Sequence, residues 1–162
     1  MMLTITPMLT DDEKEGKAYV HWKAWTESYS HLLPEHFWKD YTLERCRKWA
    51  FDYPKDVFVA KIEDKIVGFV CCAASLQEDL EDAGEIYAIY VLEEYYGQQI
   101  GYRLMEFALE QLKNFPQVAL WVLDGNERAI RFYERVGFRF DGATKIVRLG
   151  KEMIEKRMIY RP

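Results

Sequence analysis

Cysteine is scarce in this chain, and its arrangement excludes a disulfide framework. Cys46, Cys71 and Cys72 are odd in number, include one adjacent pair and form no CxxC. Reduced thiols in a cytoplasm are the expectation. Histidine is as sparse: His21, His31 and His36 make neither an HExxH nor a paired ligand spacing, so no metal is expected. No cluster of Lys and Arg stands out, and the net charge is −5. That argues against nucleic acid as a partner and is compatible with a cationic one such as a polyamine. Long apolar runs are missing too. The longest, Ile66 to Leu76, falls short of a bilayer. The opening MMLTITPMLTDDEKE has neither the cationic start nor the apolar core of a secretory leader. A cytoplasmic protein with no membrane partner is therefore expected. Internal repeats and low-complexity tracts are absent as well.

What is present suits one soluble domain over residues 1–162. Hydrophobic residues make up 49% and charged residues 30% of the 162 positions, a globular balance and not a disordered one. A chain of this length buries roughly two-thirds of its unfolded surface and needs no covalent staple. Aromatics at 15% predict a bulky core.

The chain is organised around GEIYAIYVLEEYYGQQIGYRL, Gly84 to Leu104. Ile86 to Leu92 is short, rich in aromatic and β-branched residues, and bounded by Gly84 and a Glu-Glu pair, which predicts a strand. From Ile100 the apolar period becomes helical, through Leu104, Phe107, Ala108 and Leu112. Between strand and helix lies Tyr96-Gly97-Gln98-Gln99-Ile100-Gly101. A helix opening directly after a strand aims free N–H groups and a positive dipole end at whatever lies above the turn, a place for phosphate. The two glycines alone point more readily to a plain βα unit with a glycine at its turn, because short Gly patterns are frequent by accident.

The other elements follow the same signals. Leu3 to Thr6 alternates like a strand. Thr10 caps a helix with acids in its first turn, running to about Tyr29 and carrying Tyr19, Trp22, Trp25 and Tyr29 at helical spacing. Those rings read most simply as core, and alternatively as the wall of a small-molecule site. Another helical stretch, Pro34 to about Ala50, divides near Asp40. Val57 to Ile62 and Ile66 to Leu76 form a hairpin, with Gly68 marking a bulge and Cys71 and Cys72 on opposite faces as structural thiols. Val118 to Leu123 is a strand, Asn126 caps a helix over Glu127 to Arg135, and Gly137 stops it. Phe138 to Asp141 and Met153 to Tyr160 are closing strands around a basic loop, Gly142 to Lys151. This order predicts a mixed α/β sheet with helices on both faces.

With YVLEEYYGQQIGYRLM, LWVLDGNERAIRFYERVGF and KEMIEKRMIY in place, the chain resembles the GNAT superfamily of acyl-CoA-dependent N-acyltransferases over nearly its whole length. The segment from Tyr90 is similar to the family's CoA pyrophosphate loop. The segment from Leu120 is similar to its later strand and helix, with its Asn, Phe-Tyr-Glu and Gly-Phe. The segment from Lys151 is similar to its last strand. The loop departs from the family pattern [Arg/Gln]-x-x-Gly-x-[Gly/Ala]: those positions hold Tyr96, Gln99 and Gly101, and Glu93 stands where many members have Pro. A side chain at 99 crowds the approach of a phosphate to the backbone.

The resemblance implies a mostly antiparallel sheet of about six or seven strands with a V-shaped splay between two central ones. It implies acetyl-CoA as co-substrate, and the amine of a small molecule or peptide as acceptor. Ile89, Tyr90 and Val91 would pair with the pantetheine arm. Gly97, Gln98, Gln99, Ile100, Gly101 and Tyr102 would hold the pyrophosphate, and Asn126 would flank the arm. Tyr133 would protonate the leaving thiolate. Glu85 would be the general base, a task ordered water performs in many members. Tyr29 and His31 would touch the acceptor. An acyl-CoA-binding sensor or assembly module without turnover, and a βα fold holding another phosphate ligand, are the alternatives. Pairing through the last strand makes a homodimer an open expectation.

Overall fold

The computed structural model describes residues 2–162. Strand β1 (Leu3–Pro7) leads into helix α1 (Asp11–Tyr29), then α2 (Phe37–Asp40) and α3 (Leu43–Asp52). Strands β2 (Val57–Ile62), β3 (Lys65–Ala74) and β4 (Ala83–Val91) follow. Helix α4 (Ile100–Gln111), β5 (Gln117–Leu123), α5 (Glu127–Val136), β6 (Arg139–Arg148) and β7 (Glu152–Tyr160) complete the chain. The helix starts are those the capping residues dictate. Thr10 Oγ1 accepts from Glu13 N at 3.1 Å while Glu13 Oε1 accepts from Thr10 N at 2.9 Å, a reciprocal capping box. Asn126 Oδ1 accepts from Ala129 N at the start of α5, and Gly137, at φ 122°, ends it where a side chain would be strained.

The seven strands form one sheet in the order β1-β2-β3-β4-β5-β7-β6. Every neighbouring pair is antiparallel except β4 and β5. Leu104, Met105 and Ala108 of α4 and Ile130 of α5 pack on one face, against Val67, Ile86, Leu120 and Met158. Val20 and Ala24 of α1 cover the other, against Val57, Val59 and Phe69. Cys72 joins the first cluster and Cys71 borders the other one. Of the α1 rings, Trp22 and Trp25 pack toward α3 and Tyr29 is buried, whereas Tyr19 faces outward at 40% exposure.

The parallel pair decides the architecture. β4 and β5 share register only from Ala83↔Gln117 to Glu85↔Ala119. Beyond that point β4 stays with β3 as far as Val91↔Gly68, and β5 stays with β7 as far as Leu123↔Glu155. The two central strands therefore splay. The local cause is a bulge: Cys72 pairs with Ile86 and Cys71 with Ala88, leaving Tyr87 as an extra residue. A bulge bends and twists its strand, and this one lies where β4 parts from β5. Gly68 sits beside another slip, against Ala60 and Lys61. A Cβ there would lie 2.8 Å from the Tyr90 carbonyl oxygen, so β3 and β4 approach closely on this side too.

One expectation is corrected. The loop expected over Gly142 to Lys151 is strand as far as Arg148, paired to β7 through Thr144↔Lys156 and Arg148↔Glu152 after a slip that follows Phe140. Its side chains are mostly exposed, so burial imposes no period-two pattern, and the ladder to β7 alone holds it extended.

Candidate active site

Two cavities meet in the splay. Tyr29, Ile89, Tyr90, Asn126 and Tyr133 line both. From Ile86 to Val91 β4 has no partner on its β5 side, so its backbone N–H and C=O groups form an open edge there.

The larger cavity, about 480 Å³, lies between β4, the following loop and α5. Its floor is the turn into α4. Tyr96 is extended, Gly97 has φ 83°, and Gln99 takes the left-handed conformation with φ 66° and ψ 13°. Holding an L residue there costs about 1–2 kcal/mol. Gln99 gives no side-chain cap to α4, so the first N–H groups of the helix remain available to an anion, at the positive end of the dipole. Gln99 is among the residues lining the cavity. Arg128, Arg131 and Arg135 line the same cavity, and no Asp or Glu does. The Arg128 guanidinium lies 3.9 Å from the centroid of the Tyr96 ring. In a chain of net charge −5, this is a concentrated positive field.

The smaller cavity, about 210 Å³, opens on the other side of the splay. It is lined by Glu85 and Glu155, with Lys145 as its cation and Trp25 and Trp121 among its aromatic walls. Lys145 is drawn to Glu155 at 3.6 Å and lies 4.4 Å over the Trp121 ring. Glu85 is buried, at 6% exposure, not solvated. Its Oε1 accepts from Ser75 Oγ at 2.8 Å and from Gln77 Nε2 at 2.7 Å. Both bonds fall on one oxygen, which leaves Oε2 for other use. Gln77 Oε1 in turn accepts from Arg157 Nη1 at 2.7 Å. Arg157 is itself buried and fixed by Asp79, bidentate at 2.8 Å, and by Asp141 at 2.8 Å. A continuous polar chain thus runs from β7 to the carboxylate of Glu85.

Tyrosines crowd the junction of the two cavities. Tyr29 and Tyr90 hydroxyls are 3.2 Å apart. Burial raises the pKa of each, and their proximity adds to the shift at Tyr90. Burial likewise raises the Tyr133 phenol above its ordinary 10, with Tyr29 contributing, so it is fully protonated at neutral pH.

Of the residues singled out in the sequence, Ile89, Tyr90, Val91, Gly97, Gln99, Ile100, Gly101, Tyr102, Asn126 and Tyr133 gather at the larger cavity, and Glu85 and Tyr29 at the smaller. Two do not join them. Gln98 lies on the outside of the turn and lines neither cavity. His31 is exposed, because the turn after α1 buries Leu33 beside Tyr29 and Leu123 and carries the histidine outward. Sequence reasoning missed the three arginines of α5, although 128, 131 and 135 have the spacing of one helical face. It also missed Glu155, Trp121 and Lys145, which only the pairing of β5, β6 and β7 brings to the splay. Among the described residues no group of three His, Cys, Asp or Glu gathers as a metal site, and no helix is long and apolar enough to cross a membrane.

Residues 19–138 match the model of the Acetyltransferase (GNAT) family. An uncharacterized N-acetyltransferase of Archaeoglobus fulgidus is 37% identical over 116 residues, which span 68% of this chain and 79% of that protein. The crystal structure of PH1933 from Pyrococcus horikoshii OT3 superposes with a TM-score of 0.73 at 27% identity over 99% of both chains. A PaiA N-acetyltransferase from Thermoplasma acidophilum, solved in complex with coenzyme A, has the same fold, with a TM-score of 0.72 at 20% identity over 100% of both chains.

Proposed function

Because the chain belongs to the acetyltransferase (GNAT) family, we propose that it transfers the acetyl group of acetyl-CoA to the primary amine of a small cationic acceptor. As a family member it is an acyltransferase, and acetyl-CoA is its acyl donor. The acceptor is the proposal, and one observation carries it: the splay separates an arginine-lined cavity without acids from a smaller one holding Glu85 and Glu155. The larger suits a polyanionic donor. The smaller suits an amine that arrives as an ammonium, with Trp25 and Trp121 offering π faces to it.

In this reading the amides of Gly97 to Tyr102 and the Arg128 guanidinium hold the diphosphate. The open edge of β4 from Ile89 to Val91 pairs with the pantetheine amides, and Asn126 flanks that arm. Glu85 takes the ammonium proton on Oε2, directly or through water, freeing the nitrogen lone pair to attack the thioester carbonyl. N–H groups along β4 donate to the carbonyl oxygen as charge develops there. The new C–N bond replaces the C–S bond: Tyr133 donates its phenolic proton to the departing sulfur and is reprotonated by the surplus proton of the attacking nitrogen, so that amide, free thiol and neutral phenol result, with one proton left on Glu85 for the solvent.

Release of free thiol from acetyl-CoA against a panel of diamines, polyamines, amino-acid amides and short peptides tests this. Turnover should be fastest with the small dications and should fall in Glu85→Gln. Calorimetry should show binding of CoA well above that of ATP. Binding of CoA with no thiol released by any amine would overturn the transferase reading, and a preference for neutral peptides would overturn the cationic acceptor.

A further inference from the structure

Behind the splay, α1, α2, α3 and the turn between β6 and β7 enclose another cavity, of about 370 Å³. It is a cleft open to solvent on one side, and its size falls in the range of small-molecule sites. Its walls are aromatic. Trp25 and Tyr41 stack at 4.9 Å between centroids with 20° between planes, and Phe37 continues the stack on Tyr41 at 5.4 Å and 23°. The rim carries two guanidiniums, Arg45 and Arg148, against one carboxylate, Asp40. Arg45 lies over the Trp49 ring and gives Nη1 to the Asp40 carbonyl. The enclosure is latched: His36 Nε2 meets the Gly150 carbonyl at 2.8 Å, joining α2 to the β6–β7 turn.

An independent observation falls on the same residues. Among the described residues four buried side-chain polar atoms have no hydrogen-bond partner, and three of them are His21 Nδ1, Trp25 Nε1 and Tyr41 Oη, all on residues lining this cavity. Buried polar groups are nearly always satisfied, and each one left alone costs about 1–3 kcal/mol. Burial and the nearby Lys17 depress the His21 pKa to about 3, so the imidazole is neutral and adds no charge. The site therefore offers flat π faces and surplus positive charge at its mouth.

We propose that this cavity is a binding site for a planar aromatic carboxylate. The ring enters beside Trp25 and Trp49, and the carboxylate faces Arg148 and Arg45. Trp25 and Leu149 also line the acceptor cavity, so an occupant here touches the wall of the site where the amine sits. Because the acceptor proposed above is a small cation, the occupant is a separate small molecule that modulates the enzyme.

The full chain contains five tryptophans, so its indole N–H resonances are few enough to resolve by 15N NMR, with the Trp25 signal assigned from Trp25→Phe. Titration with benzoate and with indole-3-carboxylate should move the Trp25 and Trp49 signals and saturate at or below millimolar concentration. Benzyl alcohol should bind about tenfold more weakly. Arg148→Gln, an exposed substitution outside the acceptor cavity, should weaken the acids about tenfold and leave benzyl alcohol unchanged. The titration contains neither CoA nor amine, so its outcome is independent of the transferase reading. Kinetics then test the coupling: a changed rate with a small amine, without competition against it, supports an effector, whereas competition only with amines that carry a carboxyphenyl group would assign the cavity to the acceptor and overturn the effector. Absence of shifts at millimolar acid, equal binding of benzyl alcohol, or indifference to Arg148→Gln would each overturn the proposal.

Discussion

Replacing Arg128 with Met should weaken CoA binding about 5- to 30-fold, or about 1–2 kcal/mol. The guanidinium sits at the mouth of the larger cavity, 3.9 Å from the Tyr96 ring, beside the N-terminal amides of α4. Tyr96 occupies the loop position where the family pattern has Arg or Gln, and in the proposed reading Arg128 would deliver from α5 the cation that the loop lacks. At about 6 Å from one phosphate charge and an effective dielectric of about 20, the attraction is about 3 kcal/mol. Exposure of Arg128 and salt reduce this by roughly half. Met keeps an apolar stem over the Tyr96 ring, so the loop itself should hold. Isothermal titration with CoA at low and high salt reads the effect, with pantetheine, which has no phosphates, as control. The loss should appear for CoA alone, shrink toward 1 M salt, and be largely restored by adding Tyr96→Arg. A dissociation constant within about twofold of wild type at low salt, or an equal loss for pantetheine, would refute the assignment.

Other outcomes follow from the same geometry. Tyr133→Phe should lower turnover by about 100-fold while CoA affinity by calorimetry stays near wild type; unchanged turnover would remove Tyr133 from the chemistry. Gln77→Leu should lower kcat about tenfold with KM for acetyl-CoA unaltered, because Gln77 bonds Glu85 and Arg157 but lines neither cavity; a shift in KM instead of kcat would mean that it does not act through Glu85. Glu13 tests stability. Burial opposes its ionisation, yet the Lys61 ammonium and the Thr10 and Leu9 N–H groups hold its pKa down, from 4.5 to about 2. A depressed carboxylate stabilises the fold above its unfolded pKa, and that contribution disappears as pH falls from about 4.5 to about 2. Glu13→Gln should therefore lose about 2–3 kcal/mol in urea melts at pH 7 and match wild type near pH 2; a difference independent of pH would contradict the charge argument.

The elements read from residue patterns are present with small shifts at their ends. Thr10 and Asn126 cap the helices they were expected to cap. The stretch from Gly84 to Leu104 is the strand, turn and helix that its change of period dictated. Those signals are local: a cap, a switch from period two to period 3.6, and a glycine whose φ no other residue adopts cheaply. Where the local signal is missing, expectation failed. Strand β6 is held by its ladder to β7 and not by burial, so residues 142–148 read as loop. His31 was placed by a neighbourhood in sequence, and the structure leaves it exposed beside the buried Leu33, outside both cavities.

By itself the sequence determined most of the segments that become helix or strand, where the turn into α4 lies, and which family the chain resembles. Each of these rests on neighbours within a few residues. Only the tertiary structure decided that β4 and β5 part beyond Glu85↔Ala119, that the α5 arginines share one cavity with the α4 amides, and that Arg157 on β7 braces Glu85 through Gln77. Gln77 and Arg157 stand 80 positions apart, and the sheet order that brings such residues together is written in no single segment of the chain.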